Sequence, residues 1–150
     1  MTRAFLPLLR ESREAQLVNM SSVFGLIAPP GQTAYVASKF AVRGFSESLR
    51  HELAGSTVGV TVVHPGGVKT AIARNARLPG SADGPANEQQ AAAFESKLRL
   101  SSDVAGERIV QAIEARKARI IVGTDAKVAA FAERLAPVSY WRLLSGMIGA

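Results

Sequence analysis

Apolar residues along this chain come in short runs whose period switches between that of a helix and that of a strand. Phe5, Leu8 and Leu9 form the apolar side of an opening stretch that reads as the end of a helix. After a polar turn, Leu17-Val18-Asn19-Met20 is short, apolar and bounded, and predicts a buried strand running into Ser21-Ser22. Residues 25–32 contain Pro29-Pro30-Gly31 and predict a loop. From Thr33 the pattern is helical: Ala41, Phe45, Leu49 and Leu53 recur every four residues on one face, and Gly55 closes the helix. Val58-Gly59-Val60-Thr61-Val62-Val63 is apolar on both faces, as a central parallel strand requires, and is expected to stop at His64-Pro65-Gly66-Gly67. Residues 71–100 have no strong period and predict a flexible segment with room for short helices. Ser102 is the expected cap of the next helix, with Asp103 in its first turn and Ala105, Ile109 and Ile113 as its stripe. Arg119-Ile120-Ile121-Val122 predicts a third strand, residues 125–135 a helix broken by Pro137, and the tail beyond Val138 is apolar enough to pack on something.

Alternation of strand and helix predicts an α/β fold, a parallel sheet with flanking helices. A chain of 150 residues is enough for one domain, residues 1–150, and not two. The apolar share of 47% is that of a globular protein. With no cysteine there is no disulfide framework or thiolate metal site, and with two histidines zinc is not expected. The composition suits a reducing cytoplasm, and neither a signal peptide nor a membrane-spanning run is visible. The net charge of +6 is scattered among acidic neighbours, such as Arg10 with Glu11 and Glu133 with Arg134, which argues against a nucleic-acid surface. The tail Ser139-Tyr140-Trp141-Arg142-Leu143-Leu144 could lie at a membrane surface. Tails of this kind more often cover their own pocket or core, so no membrane partner is expected.

Tyr35-Val36-Ala37-Ser38-Lys39 sets a phenol and an ammonium four residues apart, on one face of the predicted helix. Ser22 precedes Tyr35 by thirteen residues and lies at the carboxyl end of a strand, where parallel sheets bind ligands. Pro65-Gly66-Gly67-Val68-Lys69-Thr70 leaves the carboxyl end of the next strand. Singly, each is ordinary: a polar helix pair, a serine turn, a loop signal. In this order and spacing the chain resembles the short-chain dehydrogenases/reductases. Asn19-Met20-Ser21-Ser22 is similar to that family's Asn-x-Ser-Ser strand end, Tyr35 and Lys39 to its Tyr-x-x-x-Lys, and Pro65-Gly66 with Thr70 to its Pro-Gly-x-x-x-Thr.

The resemblance implies a Rossmann-like fold, represented here by its C-terminal portion. It implies an NAD- or NADP-dependent oxidoreductase acting on a secondary alcohol or ketone. Reducing a carbonyl takes a hydride on carbon and a proton on oxygen, and the protein must supply the proton and the geometry. An ammonium beside a phenol favours the phenolate. Tyr35 is therefore the expected acid/base and Lys39 its tuner, with Ser22 hydrogen-bonding the substrate oxygen. By resemblance, Tyr35 and Lys39 also meet the cofactor, Lys39 at the nicotinamide ribose. Pro65, Gly66, Val68 and Thr70 line the nicotinamide end. His64 is read as a hydrogen-bonded structural residue, and His51 as a solvated surface one. Ala71, Ile72, Ala73 and Leu78 hint at a lipophilic substrate. Relatives pair through the two helices matching those before Leu17 and after Thr33, so a homo-oligomer is expected.

The sequence departs from the family in one large respect: it contains no Thr-Gly-x-x-x-Gly-x-Gly turn for the cofactor phosphates, no Asn-Ala-Gly strand end and no residue to choose between NAD and NADP. The chain is thus expected to be a fragment with an uncovered sheet edge at Leu17-Val18. The competing reading is a non-catalytic half-domain, a remnant or an assembly partner of a full-length relative.

Overall fold

The computed structural model of the chain describes residues 1–70 and 98–148. Helix α1 (Thr2–Glu11) leads into strand β1 (Ala15–Met20), a 3-10 turn (Val23–Gly25) and the long helix α2 (Thr33–Glu52). Strand β2 (Val58–Pro65) follows, then the two-residue strand β3 (Val68–Lys69). After the undescribed residues come β4 (Leu100–Ser101), α3 (Ser102–Glu114), β5 (Arg119–Val122), α4 (Thr124–Leu135) and α5 (Tyr140–Ile148).

The main sheet is parallel, in the order β1-β2-β5, so the most apolar strand is the central one. Its register runs from Ala15 opposite Val58 to Met20 opposite Val63, and from Val62 opposite Arg119 to Pro65 opposite Val122. Alternating side chains serve opposite faces. Ala15, Val58 and Val60 pack under α1 and α2 with Leu49, Leu53, Leu6, Leu9 and Leu17. On the other face Val63 and Val122 meet Ala105 of α3, joined by Val18, Ile109 and Ile120. Burying a leucine such as Leu49 or Leu53 contributes about 1.5–3 kcal/mol. A third cluster, Ile27, Ala129 and Leu144, ties α4 and α5 to the loop beyond β1. The expected α/β architecture is thereby present, and the tail does pack.

Several expectations are corrected. The inward side of α1 is Leu6 and Leu9; Phe5 and Leu8 are exposed. On α2 the buried face is Ser46, Leu49 and, just past its end, Leu53, while Ala41 and Phe45 face outward. A strict four-residue repeat drifts around a helix with 3.6 residues per turn, so its early members leave the face. Strand β1 begins at Ala15 and is half-buried rather than buried, since it pairs only with β2 among the described residues. Strand β2 runs through His64 and Pro65; proline brings no N–H, and the ladder continues through Gly66 N–H to the Val122 carbonyl at 2.8 Å. The cap of α3 is Ser101, whose Oγ accepts from Val104 N–H at 3.3 Å, and Ser102 is the first helical residue. Strands β3 and β4 were not foreseen, because two residues carry no period. The segment expected to be flexible lies, from 71 to 97, outside the described residues.

Candidate active site at the carboxyl ends of β1 and β2

Strand β1 ends at Met20, and the chain turns at once into the 3-10 turn that carries the serine. Ser22 has extended backbone and caps the turn: its Oγ accepts the Phe24 N–H at 3.2 Å. Its carbonyl accepts from Gly25 N–H at 2.9 Å and faces His64 Nδ1, also at 2.9 Å. Ser21 N–H donates to the Val63 carbonyl at 2.8 Å, and Ser21 Oγ donates to the Lys39 carbonyl at 2.9 Å. The last contact fastens the serine turn to the first half of α2. Gly25 completes it. A Cβ there would collide with Ser21 Oγ and lie 2.8 Å from the Lys39 carbonyl, so only glycine lets turn and helix approach this closely.

One helical turn separates Tyr35 from Lys39, and the structure brings them together: Lys39 Nζ lies 5.4 Å from the centroid of the Tyr35 ring. The same Nζ donates to the Met20 carbonyl at 3.3 Å, placing the ammonium over the end of β1 with further N–H groups to offer. Tyr35 is exposed, at 43%. Its ring meets Phe24 edge-on at 6.0 Å, and Phe24 is the residue whose N–H engages Ser22. Serine, phenol and ammonium thus gather at one end of the sheet, and Phe24 touches both Ser22, through its N–H, and the Tyr35 ring.

Pro65 and Gly66 leave β2 at the same end. Asp125, in the first turn of α4, takes the Gly67 N–H on Oδ2 at 2.6 Å, and a Cβ on Gly66 would collide with that carboxylate. Val68 packs against the cluster of Val63, Ala105 and Val122, its N–H donates to the Gly66 carbonyl at 2.9 Å, and it pairs with Leu100 of β4. Thr70 is exposed and closes the described segment.

His64 is fully buried beneath this end of the sheet, where loss of solvation pushes its pKa below the ordinary value; the carbonyl of Ser22 opposes that shift. The reading of His64 as hydrogen-bonded is correct, and His51 is exposed. Sequence reasoning gave no role to Phe24, Gly25 or Asp125, and quoted Ser21 only within the strand-end motif and Tyr140 only within the apolar tail; the Tyr140 hydroxyl accepts the Ala28 N–H at 2.8 Å. Gly25, three residues after Ser22, was the one with a local signal; the partners of Asp125 and Tyr140 are 58 and 112 residues away.

The sequence model for short chain dehydrogenases matches residues 1–79, just over half of the chain. A Mycobacterium tuberculosis protein, SadH, whose name classes it as an oxidoreductase, is 48% identical over 147 residues, covering 96% of this chain and 52% of SadH. A short-chain dehydrogenase/reductase from Burkholderia phymatum, solved in complex with NAD, superposes with a TM-score of 0.71 at 29% identity, over 89% of this chain and 52% of that one. A short-chain dehydrogenase from Burkholderia cenocepacia J2315, solved with NADP, gives 0.73 at 25% identity, over 96% and 52%. The chain spans about half the length of these relatives.

Proposed function

Because this chain belongs to the short-chain dehydrogenase family, we propose that it forms the catalytic C-terminal portion of an NAD- or NADP-dependent oxidoreductase acting on a secondary alcohol or ketone. The observation that carries this reading is the convergence of Ser22, Tyr35 and Lys39 on the carboxyl ends of parallel strands.

The residues present suit the nicotinamide end of such a cofactor. Lys39 keeps N–H groups beyond the one given to Met20, and can hold a ribose hydroxyl. Pro65, Gly66, Val68 and Thr70 would line the neighbouring edge, where Asp125 fixes the turn through the Gly67 N–H. When bound, the cofactor supplies or accepts the hydride. Everything else falls to the chain. Tyr35 moves the proton at its phenol oxygen, and the neighbouring ammonium stabilises the phenolate left behind. Ser22 Oγ has a lone pair engaged by Phe24 N–H, so its own hydrogen can be directed at the substrate oxygen. Phe24 packs edge-on against Tyr35 and backs onto the apolar cluster of Ile27, Ala129 and Leu144, which favours a lipophilic substrate. The residues first taken as the sign of such a substrate, 71–73 and 78, lie outside the described set.

The phosphates of the cofactor require a glycine-rich turn that this sequence does not contain. We place that turn on further strands added at the outer edge of β1, which has no partner among the described residues. The exposed Phe5, Leu8 and Phe45 on α1 and α2 support a homo-oligomer. The cysteine-free composition suits the cytoplasm, and no described helix is long and apolar enough to cross a membrane.

The same free edge favours a second reading, in which the chain is a non-catalytic partner of a full-length relative. Cofactor oxidation in the presence of a lipophilic ketone separates the two. With Tyr35→Phe, kcat/KM should fall by about a hundredfold or more. A protein that joins this chain to further strands carrying the glycine-rich turn, and that still neither binds NADH or NADPH nor turns over any ketone, would leave only the second reading.

A further inference from the structure

His64 poses a physical question that the catalytic reading leaves unanswered. Its side chain is fully buried, and its Nε2 has no hydrogen-bond partner among the described residues. Leaving a buried polar atom without a partner is costly, and leucine at this position would avoid that cost. What leucine could not do is reach the Ser22 carbonyl. That carbonyl only accepts, so the contact at 2.9 Å requires the proton on Nδ1. In the neutral ring Nε2 is then the acceptor, and it is the nitrogen left alone.

The Ser22 carbonyl is thereby gripped from two sides, by Gly25 N–H within the turn and by His64 from the central strand. Gly25 fixes the shape of the turn but not its position over the sheet. His64 adds, at Ser22 itself, a second tie to β2 beside that of Ser21 N–H to the Val63 carbonyl, and β2 is itself held by a strand on each side. We propose that His64 is a positioning residue: its Nδ1–H holds the Ser22 carbonyl and so fixes where the serine hydroxyl stands relative to Tyr35 and Lys39. The value of this contact to catalysis rests on the function proposed above; the contact itself does not.

Two measurements on the full 150-residue chain decide the matter without any turnover. Long-range nitrogen–proton correlation spectra of the imidazole report its tautomer at neutral pH. The neutral Nδ1–H form is expected, and a neutral Nε2–H form would overturn the proposal even if every variant failed to fold. Amide exchange then reads the turn. His64→Leu should speed exchange at Gly25 and Phe24 by about tenfold, with Val62 and Val63 in the sheet little changed. His64→Asn, which keeps a short-range N–H donor, should restore most of that protection. Unchanged exchange in His64→Leu, or no rescue by asparagine, would mean that the ring merely fills space. Absence of ketone turnover in a protein that also carries the glycine-rich turn counts against the proposed function and leaves these readings intact.

Discussion

At the scale of single residues, the site is a set of close approaches that each tolerate one kind of side chain. Gly25 exists so that Ser21 Oγ and the Lys39 carbonyl can occupy the space of a Cβ. At His64 the surroundings favour one form of the ring as well as one place for it. Burial is the main cause of its lowered pKa, with Arg43 and Arg119 adding to it and the Ser22 carbonyl and Glu47 opposing it. The folded protein therefore prefers the neutral ring, while the unfolded chain takes up a proton near the ordinary value of about 6.5. The stability owed to the neutral ring is complete above that value and is lost as pH falls through it towards the lower folded pKa. Urea unfolding followed from about pH 7.5 to pH 5 should show a decline in wild type that is shallower in His64→Asn. Parallel curves would show that His64 does not titrate differently on folding.

At the scale of elements, α4 does more than cover the sheet. Its Asp125 reaches across to Gly67 N–H, so the first turn of one helix sets the path of the segment leaving β2. Asp125→Ala should lower stability by about 1 kcal/mol and raise the exchange rate of the Gly67 amide, with Asp125→Asn intermediate. Equal exchange in all three proteins would show that the turn holds itself. This coupling also marks where sequence reading stops. The strand of Val58 to Val63 was visible as an unbroken apolar run, because it is buried on both faces, and the helix from Thr33 by its recurring apolar positions. Tyr35 and Lys39 were visible because a helix fixes their separation. Asp125 looked like any acidic residue in a first turn, since its partner is remote. The face of α2 was misread because Phe45 is large and apolar yet outward. Ser46, which lies inward, is polar: it donates to the Val42 carbonyl and accepts from Asn19.

At the scale of the whole molecule, the described surfaces divide into a site end, the open edge of β1 and an apolar face on α1 and α2. That face is bordered by a shallow cavity of about 560 Å³ between the two helices, lined by Leu6, Pro7, Phe45 and Leu49 among others. In the proposed homo-oligomer this exposed apolar patch is the contact surface. Sedimentation velocity should show association that increases with concentration. Phe45→Ser should weaken it by about tenfold or more, the equivalent of about 1.4 kcal/mol. A monomeric wild-type protein at high concentration would remove the case for a homo-oligomer through these helices.

The parallel order β1-β2-β5 also governs how the molecule can be made. None of the three strands is joined to its neighbour by a hairpin. Pairing Ala15 with Val58, and Val62 with Arg119, closes stretches of dozens of residues each time. Loop entropy must be met before such contacts return anything, which makes assembly slow relative to helix formation. During synthesis, β2 emerges complete, with its valines, well before the ribosome has added the residues of β5 that will flank it. Until Arg119 to Val122 arrive, the strand that supports both Ser22 and the Pro65-Gly66 segment has one side bare, and a nascent chain in that interval is a natural client for chaperones.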